Sequence, residues 1–361
     1  MTAHHLTLPS ISAVPTVTGN QMNHGELYRL AKVWTIAIPL ISYSYYFTSK
    51  IPKGIPRLLA LFPVLFIFLL LPLNLRSFHL CGPTAFFLSW LGNFKLLLFA
   101  FDLGPLFSSP LPSFLHFAAT LCLPIKINNN KSQIHRIGNP MVLCLKVLLL
   151  AIVVRLYDYQ NRMHPAIVSV LYFLHLYLGV EIVLALCSLP AKAIFGAPME
   201  PQFDEPYLSS SLQDFWSRRW NLMVPSILRP AVYDPTRMIT SRIFGRRRAQ
   251  LVGMVATFVV SGFMHELIFY YFTRAPPTWE VSSFFVLHGF CMAAEVAAKA
   301  ALAWPSNIHP MLSRPTCLFF LMVTARWLML PPLIRNGVVD EAIGEYYATA
   351  HFFKSKFILF L

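Results

Sequence analysis

The sequence predicts an all-α integral membrane protein, a polytopic bundle of about eight or nine transmembrane helices, and three observations carry that expectation. The 361 residues are 56% hydrophobic and only 12% charged, with mean hydropathy +0.58, whereas soluble domains are about a quarter charged. Apolar windows long enough to cross a hydrocarbon core recur along the chain. One aromatic and basic stretch, 190–250, interrupts them and is expected to be a long cytosolic loop carrying short helices.

The windows fall near 31–47, 57–75, 80–101, 140–155, 166–189, 251–273, 281–303 and 316–335, with a shorter, re-entrant or tilted piece at 112–125. Lone charges sit inside several of them: Lys95, Lys146, Glu181, Glu266, Glu295 and Arg326. Internal prolines such as Pro39, Pro63 and Pro332 imply kinks that neighbouring helices must satisfy. Residues 1–25 have neither a basic start nor an apolar run and read as a disordered tail. The remainder, 26–361, reads as one membrane-embedded domain whose final HFFKSKFILFL lies at the interface.

Composition also excludes classes. The six cysteines lie in separate apolar stretches with no C-x-x-C pair or Cys/His ligand spacing, which argues against a disulfide framework and a metal site. The net charge of +14 sits in loops between apolar spans, where anionic headgroups explain it and nucleic acid is not required. Nine Lys and Arg lie in 190–250 against Arg274 alone in 274–280, so the long stretch is placed in the cytosol.

Within that stretch, Ser211 and Asp214 form an S-x-x-D opening for a helix starting near 212. Helical spacing then pairs Asp214 with Arg218, places Asn221 on their face, and lines up Trp216, Trp220 and Met223 as a stripe suited to the headgroup level. Pro225 is expected to end the helix.

The span TFVVSGFMHELIFYYFT places His265 and Glu266 side by side. An ionised carboxylate at mid-bilayer costs about 2.5–3.5 kcal/mol on insertion scales, so Glu266 must be neutral, paired or facing a wet cavity. Histidine, with an ordinary pKa near neutrality, suits a general base that takes a proton from an alcohol. With no G-x-S-x-G elbow and no cysteine nucleophile, direct transfer to the alcohol is favoured over an acyl-enzyme. A packed, hydrogen-bonded interhelical histidine is the plainer reading of both His265 and His288. Glu295 and Lys299, four apart, are expected to pair.

The segments LQDFWSRRWNLMV, SGFMHELIFYY with its TRAPPTWE continuation, and FFVLHG occur in one order with PKGIPRLL, TAFFLSWLGNFKLLLFAFDLGPL and PQFDEPYL. Together they resemble plant wax-synthase-type members of the membrane-bound O-acyltransferase superfamily over about residues 31–340. The resemblance implies an endoplasmic-reticulum enzyme that transfers an acyl group from acyl-CoA to a lipid hydroxyl, with no cofactor besides that co-substrate. It places the catalytic base at His265 and a positioning asparagine at Asn221, with a supporting role for His288; Glu266, beside the base, is expected either to orient it or to stabilise the fold. Phe215, Trp216, Arg218, Arg219 and Trp220 become candidates for the acyl-CoA entrance. The chain departs from the group's pattern at Ser217, where glycine is usual, and at Asp204, where asparagine is common. A long-chain fatty alcohol is the leading acceptor, with a sterol or diacylglycerol as alternatives. A proton-coupled carrier using His265, Glu266, Glu181 and Glu295 as a relay is the reading from another class, and a non-catalytic lipid-binding protein is a third.

Overall fold

The structure, a computed structural model, describes residues 19–108, 110–124, 140–196, 199–301 and 309–358. Every regular element among them is helical. Helices α1 (Gly19–Tyr46), α2 (Ile55–Leu70) and α3 (Phe78–Thr84) come first, and α3 runs through a π-helical stretch, Ala85–Gly92, into α4 (Asn93–Ala100). Next are α5 (Phe114–Cys122), α6 (Pro140–Leu156) and α7 (Pro165–Phe195). The short α8 (Leu212–Asp214) and α9 (Met223–Leu228) precede the long α10 (Asp234–Thr273). The chain closes with α11 (Glu280–Ala301), α12 (Pro310–Leu328), α13 (Leu330–Arg335) and α14 (Val338–Ile358).

Six described segments are long and apolar enough to cross a membrane: Ile55–Asn74, Phe78–Ala100, Pro140–Arg162, Pro165–Phe195, Met223–Thr273 and Glu280–Ala301. The windows at 31–47 and 316–335 are helical, in α1 and in α12 with α13, but fall outside these six. Three boundaries differ from expectation. The tail read for 1–25 lies outside the described residues up to 18, and from Gly19 onward the chain is already in α1. The terminal HFFKSKFI is continuous with the preceding residues as the end of the 21-residue α14. Stretch 190–250 is not a free loop, because α7 extends into it to Phe195 and α10 starts at Asp234, bending at Gly245 where φ is +77°.

The main core packs α2 and the α3–α4 unit against α1, α5 and the end of α10, through Leu61, Phe68, Trp90, Phe99, Ile268 and Tyr271 among others. Polar groups fix the register of these helices. Arg57 donates to the Phe99 carbonyl (2.8 Å) and to Asp102 (2.6 Å). The Tyr271 hydroxyl donates to the Leu69 carbonyl (2.6 Å), and Arg274 donates to that of Leu75 (2.7 Å), so α10 ends docked on the end of α2. From α14, Glu345 accepts the N–H groups of Phe78 (2.7 Å) and His79 (3.2 Å), an anion at a helix N-terminus.

The lone charges are accounted for in the same way. Lys95, fully buried, donates to the carbonyls of Thr120 (2.6 Å) and Leu123 (2.8 Å), which the end of α5 leaves without helical partners. Lys146 pairs with Glu181, and Arg326 donates to Ser169 and to the Pro165 carbonyl (3.0 Å). Glu295 pairs with Lys299 as expected and also accepts the Leu212 N–H (3.0 Å), capping α8. A relay linking His265, Glu266, Glu181 and Glu295 has no hydrogen-bonded path among the described residues, since each acid is held by a different local partner.

Helices α10 and α11 pack most intimately, and two glycines permit it. A Cβ on Gly262 would lie 3.1 Å from the Ser282 carbonyl oxygen, and one on Gly289 would lie 2.7 Å from the Cβ of Phe258. The space left by Gly262, one turn before His265, is therefore taken by α11. Gly289→Ala is expected to cost about 1–3 kcal/mol by overpacking, read as a lowered thermal midpoint of the solubilised protein. An unchanged midpoint would mean that the two helices part freely.

Candidate active site

His265 sits on α10 with its ring stacked on Phe285 of α11 (centroids 3.9 Å apart, 22° between planes) and edge-on to Trp90 (4.7 Å, 78°). Its Nδ1 lies 2.8 Å from the Ser261 carbonyl oxygen. A carbonyl can only accept, so Nδ1 carries the hydrogen. That fixes the neutral tautomer and leaves the Nε2 lone pair available, the arrangement a general base needs.

Glu266, next in sequence, faces the other way. Only 6% exposed, it accepts the N–H of Trp279 (2.9 Å), the N–H of Ser282 (2.9 Å) and the Ser282 hydroxyl (3.0 Å). Its charge is spread over donors at the start of α11, where a helix N-terminus favours an anion. It makes no hydrogen bond to His265.

A cavity of about 330 Å³ opens beside His265, and Asn221 lies on its wall together with Trp216, Ser217 and Trp220. The local fold explains how Asn221 gets there. Ser211 caps α8 as the S-x-x-D pattern suggests, its hydroxyl accepting the Asp214 N–H (3.1 Å). The chain then widens into a π-helical turn, Phe215–Arg219, with one extra residue per turn. Two partners then fall five residues apart instead of four. Asp214 pairs with Arg219 (2.8 Å) rather than Arg218, and Phe215 stacks on Trp220 (5.3 Å, 19°).

The helix stops there rather than at Pro225, which instead occupies the first turn of α9, where a missing N–H costs nothing. Asn221 has φ +41°, a left-handed conformation that asparagine tolerates, so it leaves the Asp214 face altogether. The Leu222 N–H bonded to the Gln202 carbonyl (2.9 Å) pins the reversal. The Oδ1 of Asn221 is buried without a hydrogen-bond donor.

The aromatic stripe packs against neighbouring helices. Trp216 reaches inward, and its indole N–H donates to Nδ1 of His288 (3.1 Å). Since that nitrogen accepts, His288 carries its hydrogen on Nε2 and donates it to the Thr324 hydroxyl (2.9 Å), which donates onward to the Phe320 carbonyl (2.8 Å). His288 is fully buried, and this chain holds Trp216 in place on the cavity wall.

Of the proposed entrance residues, Phe215 is buried between Trp216 and Trp220, and Arg219 is consumed by Asp214 and the Asp204 carbonyl (3.1 Å). Arg218 is exposed. No pattern in the sequence marked Arg229 and Tyr233, which also line the cavity, or Trp90 and Phe285, which clamp the His265 ring. Among the described residues no three His, Cys, Asp or Glu side chains come together to hold a metal ion.

This is a multi-pass helical membrane protein whose interior cavity joins a tautomerically fixed histidine to an asparagine on a neighbouring turn. Comparison with known proteins places such an architecture. Residues 199–287, spanning the Asn221 turn and His265, match the model of the membrane bound O-acyl transferase family. Over 322 residues the chain is 46% identical to the probable long-chain-alcohol O-fatty-acyltransferase 1 of Arabidopsis thaliana, covering 88% of this chain and 94% of that one. It is 44% identical over 342 residues to the long-chain-alcohol O-fatty-acyltransferase of Simmondsia chinensis (92% and 97%). With the acyl-CoA–sterol O-acyltransferase 1 of Arabidopsis thaliana it shares 42% identity over 328 residues (89% and 95%). The chain belongs to the membrane bound O-acyl transferase family.

Proposed function

We propose that the protein esterifies a long-chain fatty alcohol with the acyl group of acyl-CoA to give a wax ester. The observation that carries this reading is the free Nε2 of His265 on the same cavity as Asn221. Acyl-CoA docks from the cytosol, its phosphates near the exposed Arg218 and the cavity-lining Arg229, whose side chain is 71% exposed. The acyl chain enters the bundle past Trp216 and Trp220, and the alcohol arrives from the bilayer.

The alcohol oxygen attacks the thioester carbon as His265 Nε2 takes the hydroxyl proton. The C–S bond then breaks, and the thiolate leaves as CoA thiol with that proton. The proton balance closes with no cofactor beyond acyl-CoA. Asn221, on the cavity wall, positions the acyl donor through its side-chain amide. Glu266 and His288 support the site structurally, one holding α11 and the other Trp216.

In this reading α1 and the α12–α13 unit join the six apolar segments to give about eight spans. Residues 26–361 form one domain in the endoplasmic reticulum membrane, with 190–233 on its cytosolic side. Long-chain alcohol leads because the relatives quoted first bear that name, and a sterol or diacylglycerol acceptor is the competing outcome. Membranes containing the protein, offered acetyl- and long-chain acyl-CoA with fatty alcohol, sterol or diacylglycerol, test it. Wax ester as the main product is expected. Steryl ester or triacylglycerol in its place would overturn the acceptor, and no ester from any pair would overturn the enzyme reading. Arg218→Ala and Arg229→Ala are each expected to raise the KM for acyl-CoA on the order of tenfold with kcat little changed, as loss of a charge-assisted contact would. Unaltered KM in both variants would remove the phosphate contact from the scheme.

A further inference from the structure

Helix α10 is two helices joined at Gly245. There φ is +77° and ψ is 164°, a backbone conformation that essentially only glycine adopts. The chain reverses at that residue. A Cβ on Gly253 would lie 3.2 Å from the carbonyl oxygen of Tyr233 and 2.9 Å from its ring. Continuous helix over the same stretch would hold the two residues about 30 Å apart. Residues 234–244 therefore run outward and 246–253 run back, as a helical hairpin with Tyr233 and Gly253 in contact at its base.

The tip of this hairpin is apolar and basic at once. Asp234, Arg237 and Ser241 of the first arm face a cleft shared with Arg246 and Gln250 of the second. Helical spacing puts Ile239 and Ile243 on the opposite side of the first arm, where they are 62% and 72% exposed, and Phe244 is 49% exposed. Arg242, Arg246, Arg247 and Arg248 are exposed and make no ion pair among the described residues. No Asp or Glu lies between Asp234 and Glu266. Counting back from Thr273, about 20 residues of helix cross the hydrocarbon core and end near Met254. Arg246, Arg247 and Arg248 then stand on the order of 10 Å farther out, level with headgroups rather than acyl chains. Charge decides what meets this surface. A second copy of the chain would set arginines against arginines with no acid to answer them, whereas an anionic leaflet offers phosphates to the guanidinium groups and an acyl-chain boundary to the isoleucines.

We propose that the Gly245 hairpin is a binding site for anionic phospholipid. Ile239, Ile243 and Phe244 enter the leaflet, while Arg242, Arg246, Arg247 and Arg248 hold headgroup phosphates. Tyr233 at the base of the hairpin lines the cavity of His265, so the bound lipid fixes the mouth of that cavity at the membrane surface. The site follows from the spanning fold alone, whatever reaction the cavity runs.

The full-length protein with the photo-crosslinker p-benzoylphenylalanine substituted for Ile243, reconstituted in phosphatidylcholine vesicles that hold a minority of phosphatidylserine, tests this. Irradiation is expected to give phospholipid adducts. Phosphatidylserine should exceed its share of the vesicle in them by about fivefold or more, the preference that one basic contact at the surface supplies. High salt should reduce that excess by screening. Arg246→Gln, Arg247→Gln and Arg248→Gln together should leave phospholipid adducts but return phosphatidylserine to its share of the vesicle. Absence of phospholipid adducts would overturn the proposal, as would crosslinking to a second copy in their place. So would phosphatidylserine at its bulk share with all the arginines present, or an excess that survives the triple substitution.

Discussion

His265→Ala is expected to lower ester formation by about 10²–10⁴-fold, the range that general-base help supplies, without lowering the amount of folded protein. The direction follows from the tautomer. The hydrogen bond from Nδ1 to the Ser261 carbonyl leaves Nε2 as the site that can take the alcohol's proton, and among the described residues lining the cavity no other side chain is an equivalent base. Glu266 is the nearest acid in sequence, but its oxygens are turned to Trp279 and Ser282. The ring also fills space between Phe285 and Trp90. Acyl-CoA binding should accompany the rate measurement, so that a collapsed cavity is told apart from a missing base. Turnover within threefold of wild type would remove His265 from the chemistry.

Glu266→Ala should act on the other half of the same dipeptide and in another currency. It strands three donors at the start of α11, and at about 1–3 kcal/mol for each unsatisfied group the total is on the order of 3 kcal/mol or more. A loss of that size is a large share of a domain's stability, so protein accumulation in membranes is expected to fall several-fold. Turnover per folded molecule should change far less than in His265→Ala. Glu266→Gln keeps one acceptor oxygen and should fall between. Wild-type accumulation and melting of Glu266→Ala would show that the α11 start does not depend on this carboxylate.

The two predictions separate what the sequence made legible from what it hid. His265 stood out because polar side chains are conspicuous in an apolar span, and Asn221 because the aromatic-basic motif around it resembles a known pattern. The Glu266 partners lie across the turn at 274–280, and no periodicity relates a residue to the next helix's first N–H groups. Spacing arguments failed at 215–219, where a π-helical turn inserts one residue and moves the Asp214 partner from Arg218 to Arg219. Such a turn has no pattern of its own in a sequence read at 3.6 residues per turn. Trp90 and Phe285 were invisible for a simpler reason: an aromatic residue within an apolar span looks the same whether it faces lipid, core or cavity.

Lys95 carries a consequence for how the chain is made. Its acceptors belong to α5, which leaves the ribosome after the α3–α4 unit has already emerged. Until α5 arrives, that segment presents an ammonium group to lipid at about 2.5–3.5 kcal/mol. The α3–α4 unit and α5 should therefore leave the translocon together as a hairpin, so that the first core contact is made during synthesis rather than after it. A nascent chain halted before residue 114 would hold α3–α4 at the translocon, still extractable, until α5 was supplied.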